Sequence, residues 1–390
     1  MENQKRTYLD YAASTPADPR VVEVMLPYFT DTYGNSSSIH IFGQKSAAAI
    51  ESARELMADI LRCQPKEIIF TSGGSESDNL AIRGATFAAR QQREANHILI
   101  SPVEHPAVSA TAQQLEDVHG FELEYITVDK FGLVDPSDVV SRIRPDTAIV
   151  SVIFANNEIG TINPITEISA ACREQSIPFH TDAVQAAAHM PINLQELNLD
   201  LMAIGAHKFY GPKGVGALYV RDGIHLVPTQ TGGTQEMDLR AGTLNVPLIV
   251  GMAKALHLTQ SEFLVNEEMS LALRNRVIKH VLEQIPDAKL TGHPEKRLTN
   301  HASFVFKGVD GNMLLTLLDV AGFACSSGSA CQTGDPEPSE ILLNLNLTRE
   351  WAFGSLRVSV GHQTTKEEIE SFLNILPDVI QRARVGSLVS

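Results

Sequence analysis

Residues 203–216 read AIGAHKFYGPKGVG and set one lysine, Lys208, between a short apolar run and a glycine-rich turn. The run Leu199 to Ile204 predicts a buried strand. Gly205, Gly211, Gly214 and Gly216 mark places where backbone bends sharply or approaches a ligand closely. A lysine at the end of a buried strand is open to desolvation, which disfavours its ammonium form. Its pKa then falls, freeing an amine able to form a Schiff base with a carbonyl. Taken alone, the pair His207–Lys208 reads more simply as a solvated loop beside a hairpin, so partners elsewhere must decide.

Working outward, the pattern from Glu67 on is strand, loop, helix, repeated. Strands are expected at EIIFTS, HILIS, ELEYITV, TAIVSVIFA, PFHTDAV, LMAIGA and GALYV, with helical stretches between most of them. Such alternation predicts an α/β fold with a mostly parallel sheet between two layers of helices. Before it, a short helix near Val21 to Phe29 and a longer one ending near Arg62 are expected. The longer one carries Ala47, Ile50, Ala53, Leu56, Met57, Ile60 and Leu61 at helical spacing. After it, a long helix from Leu248 to about Gln284 leads into a second alternating region: ASFVFKGV, GNMLLTLLDVAG, GSLRVSVG and a closing helix.

A chain of 390 residues exceeds one ordinary core. The expected division is an N-terminal arm (1–20), a large cofactor-binding domain (21–255) and a smaller α/β C-terminal domain (256–390). A net charge of −15 argues against nucleic acid as a direct partner. The start MENQKRTYLD has no apolar signal core, and no apolar run reaches membrane-spanning length. A cytoplasmic protein without membrane contact is therefore expected. Cys63, Cys172, Cys325 and Cys331 are too scattered for a disulfide framework and lack metal-ligand spacing, so no metal is expected.

In open α/β sheets ligands gather beyond the carboxyl ends of the strands. The residues just past each strand are accordingly informative. EIIF leads into TSGGSESDN, where Gly74 and Ser75 open a helix whose free N–H groups make either a phosphate cradle or an ordinary cap. HILIS leads to His105. TAIVSVIFA leads to Asn156, Asn157 and Glu158, suited to orienting a small ligand or to building an Asx turn. PFHTDAV carries Asp182, with Gln185 three residues on; a carboxylate in that apolar setting requires a cation. Arg357, in the apolar strand GSLRVSVG, conversely requires an anion.

A phosphate cradle, a histidine of ring size, an aspartate needing a cation, a glutamine and an activated lysine together are what pyridoxal 5'-phosphate (PLP) requires. The chain also resembles a known family, the PLP-dependent cysteine desulfurases of the NifS/IscS type, class V aminotransferase-like proteins of fold type I. The resemblance rests on YLDYAAST, YGNSSSIH, FTSGGSESDN, EHPAV, NNEIG, HTDAVQ, HKFYGPKG, GGTQE, LRAGT, SSGSAC, EPS and LRVSVG, which occur in this order along almost the whole chain. It implies that Lys208 bonds the cofactor and shuttles a proton, that Asp182 faces the ring nitrogen and Gln185 the ring hydroxyl, and that His105 stacks on the ring. Gly74, Ser75 and His207 would serve the phosphate, with Thr243 reaching it from the other subunit of a homodimer. Asn157 and Arg357 would hold the carboxylate of L-cysteine, and Cys331 would take its sulfur as a persulfide. A sulfur-acceptor or Fe-S scaffold protein would be the partner. A selenocysteine lyase or related β-elimination lyase is the alternative enzyme, and a non-catalytic PLP-fold regulatory subunit the alternative of another kind. Three departures stand out: Gly205 where relatives often have a phosphate-binding serine, Met237–Asp238 in place of a more basic pair, and Gln332–Thr333 after the cysteine.

Overall fold

The computed structural model describes residues 6–327 and 337–387. All seven strands expected between residues 67 and 220 form one sheet. Its order is Ile68–Thr71, Gly216–Val220, Leu201–Gly205, Phe179–Asp182, Thr147–Ser151, His97–Ile100 and Glu122–Tyr125. Gly216–Val220 runs antiparallel to both neighbours, and every other pairing is parallel. The central strands are buried residue by residue, which is why they read as continuous apolar runs rather than as alternation.

Helices cover both faces. Gly74–Arg93 and Pro106–His119 pack on one side through Leu80, Ile82, Val108 and Leu115. Ile41–Leu61 and Val246–Ser261 cover the other through Ile50, Met57, Ile249 and Met252. The first of these begins where His40 Nδ1 accepts the Gly43 N–H and ends at Arg62 in the left-handed region, φ 62°.

The later region forms a three-stranded antiparallel sheet, Ser355–Ser359, His301–Phe306 and Ala288–Leu290 in that order. Phe263–Gln284, Gly311–Val320 and Lys366–Ser387 lie with it, sharing a core of Val277, Val281, Phe304, Leu314, Phe372 and Leu376. Two helices expected as single pieces are each divided. Val246–Ser261 and Phe263–Gln284 meet at Glu262, whose φ of −99° and ψ of 7° leave the helical region. Pro19–Met25 and Pro27–Thr30 meet at Leu26, because Pro27 has no N–H with which to continue the ladder.

The N-terminal segment is tied down from Thr7 to Thr15. Thr7–Tyr8 pairs in parallel with Phe323–Ala324, and Asp10 bridges to Ser359. Leu9 is fully buried in the core of the later sheet. The Thr15 N–H then donates to the His207 carbonyl, which brings the segment against the Lys208 turn.

Candidate active site

Strand Leu201–Gly205 ends in a single 3-10 turn, Ala206–Lys208, so the lysine emerges at the carboxyl edge of the sheet. Its Nζ donates to the carbonyls of Ala12 (2.8 Å) and Ala13 (2.7 Å). The neighbouring strand delivers Asp182, which is buried and accepts only the Val184 N–H at Oδ1 (2.8 Å) among the described residues. His105 caps the helix Pro106–His119: its Nδ1 accepts the Ala107 N–H at 3.0 Å, which leaves any ring proton on Nε2.

Ligand atoms of His105, Asp182 and Asp78 lie within 4.8 Å of one another. Burial pushes the Asp182 carboxyl up from its ordinary range, opposed by His105 and Lys208, and pushes the His105 imidazole down. Two buried carboxyl groups and an imidazole gathered this closely make a setting that favours a cation beside Asp182. Gln185 stands beside it. Its Nε2 donates to the Ala12 carbonyl (2.8 Å), while its Oε1 is buried without a hydrogen-bond partner among the described residues.

The start of helix Gly74–Arg93 reaches the same edge. A Cβ built on Gly205 would sit 3.3 Å from the Gly74 amide nitrogen, and one on Gly74 would strike Val184 Cγ2 at 2.6 Å. The sheet edge and the helix start therefore lie close together, leaving the helix's first amides next to the strand end. Ser75 is exposed at that start. His207 Nδ1 lies 3.3 Å from Ser14 Oγ, and burial drives its pKa down to about 4. Thr243 lies exposed on the loop between Glu236–Asp238 and helix Val246–Ser261.

Arg357 is buried on strand Ser355–Ser359. Its Nη1 donates to the Asn157 carbonyl (3.0 Å) and its Nη2 to Asp10 Oδ1 (2.8 Å). Asn157 therefore meets Arg357 through its backbone. Cys331, with Gln332 and Thr333, lies outside the described residues. Cys325 is half-buried near Asp10 and Arg357, and burial raises its thiol pKa.

Four acidic groups remain, of which the sequence reading singled out only Glu158. Asp78 is buried, with Oδ1 3.4 Å from His180 Nε2. Glu104 accepts from Ser101 Oγ and the Ile153 N–H, both at 2.6 Å, and burial carries its pKa up to about 8. Glu158 accepts the Ser339 hydroxyl at 2.5 Å, its pKa raised to about 7. Asp10 is the fourth. Asp78 left a signal, a carboxylate among the buried positions Ser77, Leu80 and Ala81 of one helix; Asp10 left none.

Residues 7–372 match the family Aminotransferase class-V. The chain belongs to that family, and within it to the cysteine desulfurases. It is 46% identical over 380 residues to "Cysteine desulfurase IscS" of Methanosarcina thermophila, covering 97% of this chain and 93% of that protein. It is 42% identical to "Cysteine desulfurase IscS 1" of Archaeoglobus fulgidus over 97% of each chain. Among solved structures, a "NIFS-LIKE PROTEIN" superposes with a TM-score of 0.89 at 33% identity, covering 97% of this chain and all of that one. "SspA in complex with cysteine" superposes with a TM-score of 0.81 at 36% identity, over 92% of this chain and 99% of its own.

Proposed function

We propose that the protein is a PLP-dependent cysteine desulfurase that converts L-cysteine to L-alanine and passes the sulfur on, as a persulfide, to an acceptor protein. The observation that carries this reading is the group of buried Asp182 and Gln185 with half-buried His105, set around the emergence of Lys208. It offers an anion for a ring nitrogen, a flat ring, and an amide oxygen without a partner among the described residues for a ring hydroxyl.

Bound there, PLP would supply an aldehyde for the lysine and an electron-accepting ring. The protein's own groups do the rest. Asp182 would face the ring nitrogen, whose positive charge would favour the anionic form of the carboxyl. His105, with Nδ1 fixed by the Ala107 amide, would stack on the ring. Gly74, Ser75 and His207 would hold the phosphate from one chain and Thr243 from the partner. Arg357 and Asn157 bind the substrate carboxylate, and Lys208 moves a proton at the substrate Cα. The Cys331 thiolate attacks the substrate sulfur: an S–S bond forms, the C–S bond breaks with its electrons returning to carbon, and that carbon takes a proton to give alanine. A homodimer is supported by the exposed apolar side chains Leu26, Phe29, Tyr33, Ile39, Ile41 and Phe42 at one end of the chain. This reading divides the chain into an arm (1–20), a large domain (21–255) and a small one (256–390), and places it in the cytoplasm, serving Fe-S cluster assembly or thio-modification through a scaffold protein.

Two variants test it. Lys208→Ala should lose the cofactor's visible absorbance and all turnover; unchanged absorbance would sink the lysine assignment. Cys331→Ala should keep the colour and lose persulfide formation, and continued sulfide release from cysteine would refute the sulfur step.

A further inference from the structure

The segment Asp10–Ala13 touches three groups of the proposed site at once. Ala12 and Ala13 offer carbonyls to Lys208, Ala12 also accepts from Gln185, and Asp10 accepts from Arg357. The segment is held in this shape by its own bonds. The Tyr8 hydroxyl donates to the carbonyls of Asp10 and Ser14, both at 3.0 Å, and the Ala13 N–H donates to the Asp10 carbonyl at 3.0 Å. Pairing with the strand that carries Arg357 sets its height: the Ser359 N–H donates to Leu9 (2.8 Å), and the Ala12 N–H donates to Ser359 Oγ (2.9 Å). Asp10 is thereby delivered beside a guanidinium that the strand has already buried.

We infer that Asp10 is a positioning residue for substrate-carboxylate recognition, holding the Arg357 guanidinium in the plane in which it meets the incoming amino acid. The inference rests on the carboxylate-binding role proposed for Arg357. The physical reason lies in the arginine's surroundings. A charge buried to this extent needs a counter-ion when no substrate is present. Asp10 supplies one at Nη2 and the Asn157 carbonyl supplies an acceptor at Nη1, so two fixed points define the plane of a rigid group. Each terminal nitrogen has a second N–H for the substrate. An arginine held this way loses little freedom on binding, and the saving appears as affinity. Without Asp10 the guanidinium swings toward whichever carbonyl is nearest, and the substrate must reorganise it. The competing account, in which the pair merely fastens the arm, predicts lower stability with unaltered recognition.

The test compares Asp10→Ala, Asp10→Asn, Arg357→Ala and the double variant Asp10→Ala/Arg357→Ala as PLP-loaded enzymes. Two readouts are used: the Kd for L-alanine from the absorbance change on binding, and the split of KM from kcat with L-cysteine. Loss of one charge-assisted hydrogen bond should weaken alanine and raise KM by roughly tenfold in Asp10→Ala. Turnover at saturation and cofactor content should stay near those of the parent enzyme. Asp10→Asn keeps an acceptor oxygen and should recover most of the loss. The double variant should be no worse than Arg357→Ala alone. If Asp10→Ala leaves both constants within twofold while Arg357→Ala raises them, the positioning role is refuted and the role of Arg357 stands. If Arg357→Ala changes neither, both fall. Should Asp10→Ala not fold, Asp10→Asn decides between the two accounts through the same constants together with its thermal midpoint.

Discussion

Arg54, on the long helix Ile41–Leu61, is buried to 3% exposure and faces Glu236. Glu236 Oε1 and Oε2 accept from Arg54 Nη2 and Nη1 at 2.7 and 3.0 Å, and Oε2 also accepts the Phe70 N–H at 2.6 Å. Replacing Glu236 by Ala would leave the buried guanidinium, among the described residues, with the Ile68 carbonyl and the more distant Glu51 carboxylate (3.4 Å), and would orphan a strand amide. Removing one partner of a buried pair costs about 3–5 kcal/mol. With roughly 2.1 cal/mol/K of unfolding entropy per residue, a chain of 390 residues loses about 1.2 °C of midpoint per kcal/mol, so a drop of about 4–6 °C is expected. Differential scanning calorimetry at one fixed protein concentration measures it, since a dimer's midpoint moves with concentration. Arg54→Leu/Glu236→Gln removes the charge yet keeps an acceptor for Phe70, and should regain most of the loss. The reasoning is wrong if Glu236→Ala shifts the midpoint by less than about 1 °C, or if the double variant is worse than the single one. Glu236, Met237 and Asp238 have φ of 46°, 54° and 64°, so this ion pair also holds a strained turn on the loop that bears Thr243.

Asp182→Asn should lower the ring-nitrogen pKa of bound PLP by roughly 1–3 units and cut kcat by at least about tenfold. A spectrophotometric pH titration and steady-state rates check this, and an unchanged kcat would refute it. Glu104 and Glu158 have folded pKa values raised to about 8 and about 7, above the ordinary 4.5. Both states are protonated below that ordinary value. As pH rises past it the unfolded chain ionises first, so stability falls until the folded groups ionise too. Glu104→Gln, which still accepts from Ser101 and Ile153, should leave the thermal midpoint near pH 4 unchanged and raise it at pH 8.5; equal effects at both pH values would overturn the assignment.

The strands were legible because burial on both faces leaves no alternation to misread, as the apolar residues of Thr147–Ser151 and Leu201–Gly205 show. Lys208, Asp182 and His105 were legible for a related reason: polar groups at the ends of such runs stand out. Asp10 was not, because its partner Arg357 lies 347 residues away and nothing local marks the pair. Glu236 was hidden in the same way behind a 182-residue separation from Arg54. The helix break at Glu262 is set by dihedral angles rather than by a proline or glycine, so composition carried no sign of it. The helical spacing of Ile41–Leu61, by contrast, was visible, since Ile50, Ala53, Met57 and Leu61 all turn to one core.

The pairing of Thr7–Tyr8 with Phe323–Ala324 has a consequence for the order of events during synthesis. Thr7–Tyr8 leaves the ribosome about 315 residues ahead of the strand it pairs with. At roughly 5–20 residues per second its partner strand emerges tens of seconds later. Until then the carbonyls that hold Lys208 and Gln185 have no fixed position, and Leu9 has no core to enter. The large sheet can close early, but the carbonyls that meet Lys208 are fixed only once Phe323–Ala324 has emerged. A nascent chain truncated before Phe323 would therefore carry the large sheet without the strand that fixes the carbonyls facing Lys208 and Gln185.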